Sequence, residues 1–421
     1  MLGLEMVSFN ADDGYPEAII RSLRKGFLKE ETYNQLKACS NLNEFKLVLE
    51  DTDYGSYIVN EANPIEIVVL KKKCKEKLMS EITHLIGQST QPLTGFLQMM
   101  LHGYQIENVV GVIEGVKNDQ PLELLLKGLD PLGYFPELKN IRTVEGDDYA
   151  TLYQQVLVDL PIGNYFRKFL EVCIGSIGND GAIKKDARFI SDLMKDYKAE
   201  KIKNMLKKIW IGEFHRYCMQ LPDVSRQVMD DLLKFESDCM TIQIIFNSID
   251  IKGLSDARGR EGERRKYINN LGKLFINLIS IIGYLYPDRD RELTEADNFD
   301  KLKDACKGFE YERMLQQVSD IPSSKQGGDF GGKNDGGANQ YASTMSIDDV
   351  MFTEKSKRYS MAFENQFHYG VFYAYLKLRE MEIKNIVWLA ELVSIGVPRQ
   401  MPGWSKFVVP FKYHKEEVQQ N

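Results

Sequence analysis

The sequence predicts an all-α protein, and three observations carry that expectation. Apolar residues recur at three- and four-residue steps over most of the chain. Runs that alternate apolar and polar residues between Asn-Gly or Asp-Gly turns are scarce, so strands have little to start from. There is neither a strand–helix alternation nor a fixed-period repeat, which argues against a doubly wound sheet and against a solenoid. The chain has 421 residues, 43% hydrophobic and 27% charged, a composition able to bury a sizeable core. Single cores stop growing near about 250–300 residues, so two or three are expected.

In chain order, GYPEAII followed by Arg21, Arg24 and Lys25 reads as a short amphipathic helix with a solvated cationic face. The alternative is a docking edge for an acidic partner helix. IEIVVL at 65–70 follows Asn63-Pro64 and runs into a lysine-rich helical pattern, so it is read as helix. Leu93, Phe96, Leu97, Met100, Leu101 and Tyr104 line one helix face, with Pro92 where a first turn tolerates a missing N–H. A second stripe runs from Tyr149 through Tyr153 and Val156 to Leu160, with Asp147 or Asp148 as cap and Pro161 as stop. Further stripes are Ile202 to Trp210, Phe235 to Ile249, and Leu271 to Leu285.

From about Met361 to Leu392, the residues Phe367, Val371, Ala374, Leu378, Met381, Asn385, Trp388 and Leu392 form a coiled-coil-like seam. Phe372 and Tyr375 broaden that apolar face, so packing within the chain is expected and an intermolecular coil is the alternative. ARGREGERRK at 257–266 reads as a solvated connection. Residues 323–346, with six glycines between Gly327 and Gly337, read as a flexible loop.

Tests for chemistry return little. Lys and Arg number 54 against 61 Asp and Glu, a net charge of −7, which excludes a generic polyanion binder. The cysteines at 39, 74, 173, 218, 239 and 306 form no CxxC and pair with none of His84, His102, His215, His368 or His414 at ligand spacing, so no structural zinc site is expected. The opening MLGLEMVSFNADDGY lacks a signal pattern, and Leu274–Tyr286, the longest apolar stretch, is 13 residues where a spanning helix needs about 20. A cytosolic chain with reduced thiols is expected. Gly327, Gly332 and Lys333 match GxxxxGK, but Asn334 replaces the Ser or Thr that would hold magnesium, and no apolar strand or helix flanks the loop. CIGSIGND at 173–180 falls one residue short of a nucleophile elbow. His368, within FENQFHYGVFYAY, is the best lone catalytic candidate and is read as a packing histidine. The pairs Asp12-Asp13 and Asp147-Asp148 are adjacent in sequence, which suits caps better than paired catalysis.

Four segments carry a family resemblance: NADDGYPEAIIRSLRKGFL at 10–28, TDYGSYIVNEANP at 52–64, YQQVLVDLPIGNYF at 153–166, and NQFHYGVFYAYLKLREMEIKNIVWLAE at 365–391. In order and spacing the chain resembles subunit d of the vacuolar-type proton-translocating ATPases, the eukaryotic counterpart of a stalk component of the archaeal rotary ATPases. Departures are Cys239 and Met240, where that family usually carries two arginines, an expanded loop at 323–341, and a divergent tail over 393–421.

The resemblance implies three similar helical bundles, roughly 9–145, 146–256 and 257–392, arranged as a funnel with the glycine-rich loop inserted. It implies a non-catalytic rotor part of the V0 sector, peripheral on the cytosolic face of vacuolar or other endomembranes. That part would couple the central stalk, subunits D and F, to the proteolipid c-ring, beside other V0 subunits including subunit a. ATP hydrolysis elsewhere would then drive proton transport and organelle acidification, with no cofactor, no nucleic acid and membrane contact only through partners. Candidate partner contacts are Tyr15, Arg21, Arg24, Tyr54, Gly55, Phe367, His368 and Phe372. Each could equally be core, and Tyr54-Gly55 a turn after Asp53. Two other classes compete: a helical scaffold or adaptor unrelated to pumping, and an enzyme with a pocket near His368 or Lys333.

Overall fold

The structure, a computed structural model, describes residues 2–118, 120–140, 160–175, 199–249, 282–318, 345–399, 402–405 and 407–411. Among these, every regular element is helical, so the all-α expectation holds. They fall into two compact units. One takes the described residues of 2–90, 222–249 and 282–411, the other those of 91–221, so the second is inserted in sequence between two pieces of the first. The expected bundle boundaries at 145 and 256 lie outside the described residues. So do the stripe from Tyr149 to Leu157, most of Leu271–Leu285, the connection at 257–266, the glycine-rich loop with Lys333, and CIGSIGND beyond Gly175.

The first unit opens with α1 (Leu2–Asp12), α2 (Gly14–Leu23), α3 (Glu30–Ala38), α4 (Leu42–Glu50), α5 (Gly55–Ile58) and α6 (Ile67–Gly87). The Asn41 side chain caps α4 by accepting from the Glu44 N–H at 3.0 Å, and Glu44 returns a bond to the Ser40 N–H at 2.7 Å. Gly55 allows α5 to start directly against the end of α4: a β-carbon there would lie 2.1 Å from the Glu50 carbonyl oxygen. α6 begins two residues inside IEIVVL, after extended Glu66.

The second unit holds α7 (Leu93–Lys117), α8 (Leu122–Lys127), α9 (Gly163–Gly175) and α10 (Ala199–Cys218). The stripes starting at Leu93 and Ile202 meet: Phe96, Leu97, Leu206 and Phe214 are fully buried, and the Trp210 indole N–H donates to the Met99 carbonyl at 2.8 Å. His102 of α7 pairs with the Tyr165 hydroxyl of α9 at 2.7 Å, and burial lowers its pKa to about 4, so this histidine is neutral packing.

The first unit resumes with α11 (Asp223–Ser248), α12 (Asp290–Glu295), α13 (Phe299–Ala305), α14 (Glu310–Gln316), α15 (Ile347–Met361) and α16 (Gly370–Ile395). α11 buries Phe235, Cys239, Ile242 and Ile245 against Phe299, Leu302, Tyr311 and Val350. Ser346 and Asp349 form a reciprocal capping box at the start of α15, with bonds of 3.2 and 3.1 Å. α16 is buried on nearly every side, and it stops at Gly396, whose φ of 71° only glycine adopts without cost.

One expectation needs correction. The seam from Met361 does not belong to one long helix: α15 ends at Met361, and α16 starts at Gly370. Phe367 sits between them in the left-handed region at φ 61°. Competing bonds hold it there, because Glu17 accepts its N–H at 3.1 Å and Arg21 donates to the Phe363 carbonyl at 2.9 Å.

Candidate functional site

A helix that is apolar all round is a buried one, and any charge at its centre must find partners there. α16 carries two such charges, Arg379 and Glu382, which are 1% and 0% exposed. All five guanidinium N–H groups of Arg379 are used. Nε donates to the Tyr375 hydroxyl at 2.8 Å. Nη1 donates to the Gly26 carbonyl at 3.0 Å and to Glu382 at 2.7 Å. Nη2 donates to the Leu23 carbonyl at 3.2 Å and to Asp53 at 3.0 Å. The Phe27 ring lies 4.3 Å beneath it. Glu382 also accepts from the Leu28 N–H and the Tyr54 hydroxyl, both at 2.6 Å.

From Asp53 the network continues to Lys77 of α6 at 2.7 Å, then to Glu81, which accepts the Tyr375 hydroxyl at 2.8 Å. Burial opposes the charge on Arg379 most strongly, but Glu382 and the surrounding tyrosines outweigh it and raise its pKa further. This node ties α16 to the end of α2, the α4–α5 turn and α6.

A second node fixes the turn before α16. Asp13 accepts the Tyr369 hydroxyl at 2.6 Å, and Ser225 of α11 accepts the Tyr369 N–H at 3.0 Å. Glu17 holds Arg21 at 2.6 Å, and Arg21 reaches the carbonyls of Phe363 and Asn365. A third node places Glu236 of α11 under the hydroxyls of Tyr359 (α15) and Tyr373 (α16), the latter at 2.5 Å. Burial works against its charge, yet Lys377, Lys355 and the two hydroxyls hold the Glu236 carboxyl below the usual range.

The fourth node is Asp238, which accepts from the Tyr284 and Leu285 N–H groups at 2.7 and 3.3 Å and from the Tyr311 hydroxyl at 2.8 Å. Burial pushes its pKa up from 3.8 to about 6 despite these bonds. A carboxyl raised in the folded state contributes stability that is full below its unfolded pKa and is lost as pH rises through the folded one. The stability difference between the parent and Asp238→Asn should therefore shift against the parent by up to ~1.4 kcal/mol per pH unit between about pH 4 and 6. Urea titrations at half-unit pH steps check this, and a flat difference refutes it.

The sequence-derived candidates divide between surface and frame. Tyr15 is 63% exposed. Arg21 and Arg24 do not make the expected solvated face: Arg21 is bound as above, and Arg24 lies 4.1 Å over the Phe411 ring. Tyr54, Gly55, His368 and Phe372 are buried, so in this chain they support a surface and do not form one. His368 binds the Asn365 carbonyl through Nε2 at 3.2 Å, and burial lowers its pKa to about 4, which leaves a neutral ring. Phe367 is half-buried, its ring edge-on to Phe9 at 6.2 Å.

Part of the divergent tail also joins the frame. Phe407 stacks on Tyr33 at 4.9 Å, and Asn385 donates to the Val408 carbonyl at 2.8 Å. No group of three or more His, Cys, Asp or Glu side chains is arranged for a metal among the described residues, and no helix there is long and apolar enough to cross a membrane. The arrangement is a mechanical frame: charges are consumed in joining helices, and none of the four nodes is aimed into an open cleft as a free acid or base.

These features, an all-helical chain whose last helix bolts together its first, define a structural subunit class, and the comparisons specify it. The family model described as ATP synthase (C/AC39) subunit matches residues 16–403. The chain is 32% identical to "Probable V-type proton ATPase subunit d" of Oryza sativa subsp. japonica over 94% of this chain and 96% of that protein. It is 32% identical to "V-type proton ATPase subunit d" of Dictyostelium discoideum, covering 94% and 95%, and 25% identical to the Saccharomyces cerevisiae protein of that name, covering 93% and 96%. The chain belongs to the ATP synthase (C/AC39) subunit family.

Proposed function

We propose that the chain is the d subunit of a V-type proton ATPase, a non-catalytic rotor part that joins the central stalk to the proteolipid ring. The observation that carries this reading is the end-to-end match to proteins named for that subunit, which leaves no large segment of either chain outside it. The frame supports it physically. Torque passes through a body without loss only if its helices keep their relative positions, and buried, fully paired charges with close packing provide that stiffness. On this reading the subunit is peripheral on the cytosolic face of an acidifying compartment and meets the membrane through its partners, with Tyr15 as an exposed contact.

The test is ATP-driven proton uptake by membrane vesicles from cells lacking the chain. Uptake should fall to background and return when the chain is restored, while the detached catalytic head still hydrolyses ATP. Normal uptake without the chain refutes the proposal.

A further inference from the structure

Within the first unit, α6, α11, α15 and α16 enclose an open groove of about 720 Å³ that none of the four nodes uses for joining helices, apart from Glu236 at its base. Its floor is the face of α16 from Lys377 to Glu391, which at 1.5 Å per residue is about 20 Å long, the span of three to four turns of a second helix. α15 walls it from Asp348 to Tyr359, and the two helices are registered by Lys384, whose ammonium lies 5.7 Å from the Phe352 ring centre.

The lining is amphipathic in a specific way. Met351, Phe352 and Met381 give it an apolar strip, and Met240 and Trp388 stand 44% and 39% exposed beside that strip. Methionines and an indole make an adaptable apolar surface of the kind that accepts the anchor residues of a helix. Of the acids in the groove, Glu236 is taken by two tyrosine hydroxyls, Glu380 pairs with Lys377 at 3.6 Å, and Asp348 accepts the Gln243 amide at 2.7 Å. Lys71, Lys355 and Lys384 have no carboxylate within ion-pair distance among the described residues, against Glu391 alone on the acidic side. The uncommitted charge is thus positive and set around an apolar strip.

We propose that this groove docks an acidic amphipathic helix of a protein partner, its apolar face on Trp388, Met240 and Phe352 and its carboxylates on Lys71, Lys355 and Lys384. A polyanion without an apolar face would leave the strip wet and would meet Glu391 and Asp348. A helix can place its carboxylates between those acids and still cover the methionines. Such docking depends on the groove alone. Its failure would leave proton uptake, and so the rotor reading, untouched.

Trp388 supplies the assay. The chain has three tryptophans, and Trp210 and Trp404 are each 6% exposed, so Trp388 is the one whose emission responds to being covered. The full-length chain is titrated with a synthetic 18-residue helix bearing Leu at i, i+3, i+4 and i+7 spacing and Glu on its flanks. A control helix carries Lys in place of Glu, and tripolyphosphate is the third probe. The expected result is a saturable blue shift with the Glu helix, weakened by salt, absent in Trp388→Phe, and at least tenfold weaker in the exposed double variant Lys71→Glu/Lys384→Glu with its circular dichroism unchanged. Met240→Glu provides an independent variant with the same expected loss. Equal binding of the Lys helix, no blue shift, or no effect of the folded variants overturns the proposal. Tripolyphosphate binding more tightly than the Glu helix, and lost in the same variants, also overturns it and makes the groove an anion site.

Discussion

Arg379→Ala is expected to lower unfolding free energy by about 3–5 kcal/mol, the range for breaking one side of a buried ion pair. The loss goes beyond one contact. Glu382 and Asp53 are left facing each other's neighbourhood without their shared cation, and the carbonyls of Leu23 and Gly26 lose donors at the end of α2. Lysine offers three donors on a flexible stem where five are used, so Arg379→Lys should recover less than half of the loss. Urea unfolding followed by circular dichroism reads both. Removing the acid as well, in Arg379→Ala/Glu382→Leu, should cost less than the sum of the single changes, because the orphaned carboxylate goes with it. Strict additivity would show that the two residues do not act as a pair.

The second large effect is expected at Glu236. Glu236→Ala leaves the Tyr359 and Tyr373 hydroxyls buried without their acceptor and opens a void between α11, α15 and α16, for a total of about 3–5 kcal/mol. Glu236→Gln keeps one carbonyl acceptor and nearly the same volume, so its cost should be about 1–2 kcal/mol. Thermal melts of the two variants separate these cases. Equal costs would mean that the carboxylate's size matters there and its hydrogen bonds do not.

Much of this was legible in the sequence. The stripes beginning at Leu93 and Ile202 and the one from Phe235 each mark a buried helix face, because apolar spacing reports burial on one side directly. The ordered motifs at 10–28 and 365–391 pointed to the family to which the chain belongs. The break before α16 was not legible: periodicity runs smoothly through Met361 to Gly370, and the turn is imposed by Glu17 and Arg21, some 350 residues away in the chain. The solvated reading of Arg21 and Arg24 failed for the same reason, since a cation near an amphipathic helix looks alike whether it meets water or a distant carbonyl. Arg379 and Glu382 carried a readable signal that spacing alone does not weigh: two charges inside a helix apolar on every side. Tyr54 and His368 sit in recognisable motifs, but a motif does not say whether its aromatic residues face a partner or their own core.

The node on α16 also sets an order of events during synthesis. Leu28 and Glu382 are bonded across 354 positions, so everything from α2 to α6 leaves the ribosome long before the helix that completes its core exists. At about 5–20 residues per second the early helices wait roughly 15–70 s for that partner. The inserted unit of 91–221 has its own core and is made within the interval. Nascent chains halted before residue 370 should therefore hold one finished globule behind an unprotected leading segment, the part of this protein most in need of a chaperone.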